Sequence, residues 1–132
     1  MMAVDTSVIV AIVREEPGHE TYGNALIEQR SVMGAPTIVE IKMVLSSILD
    51  GSDVDRLLAR LLEEMTLDAI DFTPAMADVA AVAFRAYGKG RGHPAQLNFG
   101  DCMSYAVAKV LGVPLLYKGE DFARTDIRSA LS

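Results

Sequence analysis

Met2-Ala3-Val4 is a short apolar run that stops at the polar Asp5-Thr6-Ser7, after which residues 8–14 are again mostly apolar. The first run predicts a buried strand and the second a helix, closed by Glu15-Glu16-Pro17-Gly18. A second helix is expected over 19–29, followed by a short strand over 32–35 closed by Pro36. Over 37–49, Ile38, Ile41, Val44, Leu45, Ile48 and Leu49 recur at helical spacing, and Asp50-Gly51 supplies the stop. Ser52 is then placed to cap a helix carrying Val54, Leu57, Leu58, Leu61, Leu62 and Met65 on one face. Residues 67–72 read as a third strand, and Pro74 starts a helix that Gly88 ends. The last helix spans 99–111 up to Gly112, and Leu115-Leu116-Tyr117 forms a fourth strand leading into Lys118-Gly119-Glu120-Asp121.

Strands that alternate with helices through short connections predict an α/β sandwich around a parallel sheet. Ligands of such sheets collect beyond the carboxyl ends of the strands. Asp5 and Asp121 each follow an expected strand, while Glu40 and Asp101 fall in the first turn of an expected helix. These four acids are therefore the candidate site.

Composition narrows the field without choosing a function. A chain of 132 residues with 51% apolar residues suits one domain spanning 1–132. No run approaches the length of a membrane span, and no basic segment leads into an apolar core at the N-terminus, so neither membrane insertion nor export is expected. Cys102 has no cysteine to pair with, as suits a reducing cytoplasm. The net charge of −6 opposes a nucleic-acid partner at first sight. Four clustered carboxylates around a divalent cation would account for much of it and reverse the local sign.

Bunched carboxylates repel one another unless a cation lies among them, and an all-oxygen set without imidazole or thiolate suits Mg2+ or Mn2+ in preference to zinc. Each acid also has an ordinary reading. Asp5 is placed to N-cap the following helix, and Thr37-Ile38-Val39-Glu40 matches a capping box. Asp101 is a first-turn acid favoured by the helix dipole, and Asp121 a turn residue. His19 and His93 read as surface residues and Cys102 as a small core residue. Asp50-Gly51-Ser52-Asp53-Val54-Asp55 lacks the spacing of a calcium loop and reads as a turn between helices.

Taken in order, Ala3-Val4-Asp5-Thr6-Ser7, Glu40, Leu97-Asn98-Phe99-Gly100-Asp101-Cys102 and Leu116-Tyr117-Lys118-Gly119-Glu120-Asp121-Phe122 resemble the signature of PIN-domain proteins, above all the VapC toxins of prokaryotic toxin–antitoxin pairs. Tyr87-Gly88-Lys89-Gly90 and Thr125-Asp126-Ile127 extend the likeness over nearly the whole chain. The resemblance implies a three-layer α/β/α sandwich with about five parallel strands, the last near 127–130. It implies that Asp5 and Asp101 hold the principal ion, with Glu40 and Asp121 completing the site. Asp121, directly before the aromatic, is preferred over Glu120. Thr6 is implied to orient Asp5, and Asp126 to support the site without ligating metal.

The activity so implied is metal-dependent endoribonuclease cleavage leaving 5′-phosphate and 3′-hydroxyl ends, with Lys89, Arg91, Lys118 and Arg124 as phosphate contacts. The implied partners are RNA, a second copy of the chain, and a VapB-type antitoxin whose Arg or Lys enters the acidic pocket. Three rivals are an RNA-binding PIN domain without catalysis, an Mg2+-dependent phosphoacceptor receiver domain and a haloacid-dehalogenase-type phosphatase. The receiver lacks its adjacent acid pair here, and the phosphatase needs two aspartates one residue apart where Asp5 is followed by Thr6-Ser7.

Overall fold

The structure is a computed structural model and describes residues 1–131. Its elements are β1 (Met2–Val4), α1 (Thr6–Val13), α2 (His19–Glu28), β2 (Ser31–Gly34), α3 (Ala35–Leu45), α4 (Gly51–Glu64), β3 (Leu67–Ile70), α5 (Pro74–Tyr87), α6 (Phe99–Leu111) and β4 (Leu115–Leu116), followed by a 3-10 turn (Phe122–Arg124). The four strands pair in parallel in the order β3-β2-β1-β4. Chain order thus reverses between β1 and β4, where an open parallel sheet leaves a crevice at its carboxyl edge.

Strand side chains alternate between two cores. Met2, Val4, Met33 and Leu116 face Ile9, Leu26, Ile41, Leu45 and Leu58 on one side of the sheet. Ala3, Val32 and Leu115 face Met76, Ala80, Cys102, Ala106 and Val107 on the other. This period-two division makes the three α/β/α layers, with α1 to α4 on one face and α5 and α6 on the other.

The expected fifth strand is reduced to one parallel bridge between Leu115 and Ser129. The Leu115 N–H donates to the Arg128 carbonyl and the Ala130 N–H to the Leu115 carbonyl, both at 2.9 Å. β4 is only two residues long, so its outer edge has room for little more.

Several helix ends differ from expectation for local reasons. α1 starts at Thr6, two residues early, because Asp5 N-caps it. α3 starts at Ala35, so Pro36 lies in its first turn, where proline's fixed φ is preorganised, and does not close the preceding strand. Glu40 consequently sits in the second turn, and the Thr37–Glu40 capping box does not form. α3 stops at Leu45 and not at Leu49: Ser46 and Ser47 turn their hydroxyls onto the Lys42 and Val44 carbonyls, at 2.5 and 2.7 Å. α4 begins at Gly51, with Asp50 and not Ser52 in the capping position.

Leu116 is fully buried and lies in the strand that borders the crevice. Leu116→Ala is expected to cost about 2–5 kcal/mol, read as a lower urea midpoint at unchanged slope.

Candidate metal centre

Asp5 leaves the end of β1 almost wholly buried, 3% exposed. Its Oδ2 accepts from the Ser7 N–H at 3.0 Å and from the Ser7 hydroxyl at 2.6 Å. Ser7 Oγ in turn accepts from the Lys118 N–H at 3.0 Å, which ties the ends of β1 and β4 together. The other carboxylate oxygen, Oδ1, is buried and has no hydrogen-bond partner. A buried acceptor left this way is costly, and a bound cation is one means of satisfying it.

Asp101 is set by a reciprocal cap at the start of α6. The Asn98 N–H donates to Asp101 Oδ2 at 3.0 Å, and the Asp101 N–H donates to Asn98 Oδ1 at 2.8 Å. Burial raises its pKa to about 7, and the charges of Asp5, Asp121 and Glu40 push the same way against the Asn98 hydrogen bond. All four predicted acids therefore share one electrostatic neighbourhood. Glu40 is raised by burial and by Asp5, against a hydrogen bond from Thr6. Its Oε1 accepts from the Thr6 hydroxyl, and its carboxylate lies against the Cα of Gly100. Asp121 is exposed at the head of the 3-10 turn, held there by the buried Phe122, whose ring lies 5.2 Å from that of Tyr117.

Among the described residues, no three of these acids stand as a ready-made metal cage. Each of Asp5, Glu40 and Asp101 gives one oxygen to a protein donor, and like charges gain nothing by closing together without a cation. Nor does any ion pair among the described residues involve one of the four acids. The donor set fits a hard divalent ion: carboxylate oxygens, one of them orphaned and buried, with no imidazole or thiolate.

The remaining expected residues have varied surroundings. Thr6, expected to orient Asp5, donates to Glu40, and Ser7 takes the role assigned to it. Asp126 lies apart: Lys109 donates to it at 2.7 Å and Tyr105 at 2.5 Å, which together lower its pKa. Lys118 pairs with Glu16 at 3.0 Å, while Arg124 donates to the Pro94 carbonyl at 3.1 Å. Lys89 and Arg91 are exposed on the 88–94 loop, which Leu97 ties back to the start of α6 through Lys89 at 2.8 Å and Tyr87 at 2.9 Å. His93 packs edge-on against Tyr87 at 5.0 Å, and His19 starts α2. The Cys102 thiol is buried and pushed up to about 11, mainly by burial and then by Asp101, as expected of a core residue. Ser7, Asn98 and Gly100 were not singled out from the sequence. The Asn98-x-x-Asp101 spacing and a glycine inside a helical turn were the available signals.

A model of the PIN domain matches residues 2–128. The chain belongs to the PIN-domain family. A curated relative, ribonuclease VapC42 of Mycobacterium tuberculosis, is 46% identical over 130 residues, covering 98% of each chain. Among solved structures, M. tuberculosis VapC20, described as a sarcin-ricin-loop-cleaving toxin, aligns with a TM-score of 0.72 at 18% identity over 96% of both chains. VapBC2 of Rickettsia felis, solved bound to a DNA fragment from its promoter, gives 0.72 at 15% identity over 97% of this chain and 95% of that one. The resemblance to PIN and VapC proteins read from the sequence therefore holds, and with it the α/β/α fold. The receiver and phosphatase alternatives lose their basis.

The raised pKa of Asp101 gives the PIN-domain fold a pH signature. The folded state binds this proton more tightly than the unfolded chain, so the stabilisation is complete below the ordinary value of 3.8 and lost as pH rises through about 7. Glu40 acts in the same direction. In EDTA, the melting temperature is expected to fall from pH 4 to pH 8, and Asp101→Asn to flatten that fall. Differential scanning calorimetry across the pH series reads both.

Proposed function

We propose that this PIN-domain protein is a VapC-type endoribonuclease that hydrolyses RNA phosphodiester bonds with Mg2+ or Mn2+, and that it is the toxin of a toxin–antitoxin pair. The observation that carries the reading is Asp5 Oδ1, buried without a partner, within a group of acids that no lysine or arginine among the described residues pairs with. The near-full-length likeness to a VapC ribonuclease supports the substrate class.

Asp5 and Asp101 would hold the principal ion, with Glu40 and Asp121 beside them. When bound, the ion supplies charge neutralisation at the phosphate and lowers the pKa of water. Ser7 and Asn98 fix the two principal carboxylates, so little reorganisation is needed on substrate binding. Glu40, held by Thr6 and lying against Gly100, is placed to orient the attacking water and accept its proton. In-line attack of water on phosphorus forms the new P–O bond as the P–O3′ bond breaks, and the departing 3′ oxygen takes a proton from solvent, which gives 5′-phosphate and 3′-hydroxyl ends. Lys89 and Arg91, on a loop tied to the start of α6, are the basic groups best placed to meet phosphates without giving up an existing ion pair. Lys118 would have to leave Glu16, and Arg124 the Pro94 carbonyl.

The antitoxin is proposed to insert an Arg or Lys into the acidic pocket, where the paired charges would be desolvated together. A second copy is proposed to cover the apolar surface beside it. A recess of about 300 Å³ lined by Pro36, Val39, Met43, Phe99 and Met103 opens next to Glu40. Phe99 and Met43 on its rim are 78% and 70% exposed. No helix among the described residues is long and apolar enough to cross a membrane.

Asp101→Asn, purified free of host nucleases, is expected to lose Mn2+-dependent RNA cleavage by about a hundredfold or more. Full retention would overturn the mechanism, whereas a wild-type chain that binds RNA and does not cleave it would leave the non-catalytic RNA-binding alternative. Light scattering is expected to find a dimer, and Met43→Glu to shift it towards monomer; a wild-type chain that is monomeric at all concentrations would remove the dimer.

A further inference from the structure

α6 opens with Phe99-Gly100-Asp101, so a glycine occupies the second helical position, directly before one of the proposed ion ligands. Glycine is a poor helix former, and Gly100 is not among the residues with positive φ, so backbone conformation does not require it. Space does. A Cβ on Gly100 would fall inside contact distance of both Glu40 carboxylate oxygens and of the carbon that bears them. On another side the Thr6 hydroxyl donates to Glu40 Oε1. Thr6 and Gly100 are buried and Glu40 half-buried, so residues from α1, α3 and α6 close a slot around one carboxylate.

Glutamate has three rotatable side-chain bonds, and a carboxylate at its end samples many positions unless its surroundings select one. We propose that Gly100 is a positioning residue for the reaction: its missing side chain is the seat that holds the Glu40 carboxylate beside Asp101, with Thr6 as the latch. The inference rests on the reading of Glu40 as part of the nuclease site. Gly100 touches neither RNA nor ion in this scheme and acts only through Glu40. The atoms a methyl group would strike are the far end of a flexible side chain. Gly100→Ala is therefore accommodated by swinging Glu40 out, and the fold survives.

Crystal structures of metal-free wild-type and Gly100→Ala protein read the seat directly. Mn2+-dependent cleavage of a single-stranded RNA is then compared for wild type, Gly100→Ala, Glu40→Gln and the double variant. The expected outcome is a Glu40 carboxylate withdrawn from Thr6, with kcat lowered about tenfold or more, as misplacement of a reacting group predicts. Adding Gly100→Ala to Glu40→Gln is expected to cost less than about twofold further, because the two residues act as one unit. An unmoved carboxylate, an unchanged kcat in Gly100→Ala, or a full additional loss in the double variant would overturn the proposal. A wild-type protein that cleaves no RNA would sink the nuclease reading instead, and the crystal structures would still show whether Gly100 seats Glu40.

Discussion

Burial raises the pKa of Asp101, and the carboxylates of Asp5, Asp121 and Glu40, from three other parts of the chain, lie close enough to add to that rise, while no lysine or arginine of the described chain pairs with any of the four. Such an arrangement works against the stability of the metal-free fold, since folding must either crowd negative charge or take up protons. Asp5 shows the strain most plainly, with one oxygen held by Ser7 and the other buried without a partner. An arrangement that opposes folding and leaves an acceptor unmet is understandable if a cation completes it.

Sheet order is what brings these charges together. The reversal between β1 and β4 opens the crevice, and Ser7 stitches the two strand ends across it by accepting from Lys118 and donating to Asp5. α6 enters from the opposite layer, its first turn fixed by Asn98 and its path by a core that includes Ala106 and Val107. Phe122 anchors the segment that carries Asp121. Core packing and site geometry are thus one problem here, because Asp5 follows directly on the buried Val4, Asp101 on the buried Gly100, and Asp121 directly precedes the buried Phe122.

Much of this was legible from the chain alone. β1, the whole of α6 and the parallel α/β arrangement follow from apolar spacing and from Gly112, and the acids are recognisable as an ordered set. What stayed hidden depended on contacts distant in sequence. Thr6 meets Glu40 across 34 positions, so nothing local distinguished its role from that of Ser7. Thr37 and Glu40 have the spacing of a capping box, yet Pro36 drew the helix start back to Ala35 and left that spacing without its function. The resemblance implied a last strand near Ile127 to Ala130, but a two-residue β4 gave it a single bridge to make. Gly100 declared itself only through the side chain resting on it.

Anomalous diffraction from crystals soaked in Mn2+ tests most directly whether these carboxylates form one cation site. Strong density in contact with Asp5 Oδ1 and an Asp101 oxygen, with Glu40 and Asp121 beside it, is the result that the charge arrangement predicts. Saturating Mn2+ that leaves this crevice empty, or that binds only at surface acids elsewhere, would contradict it.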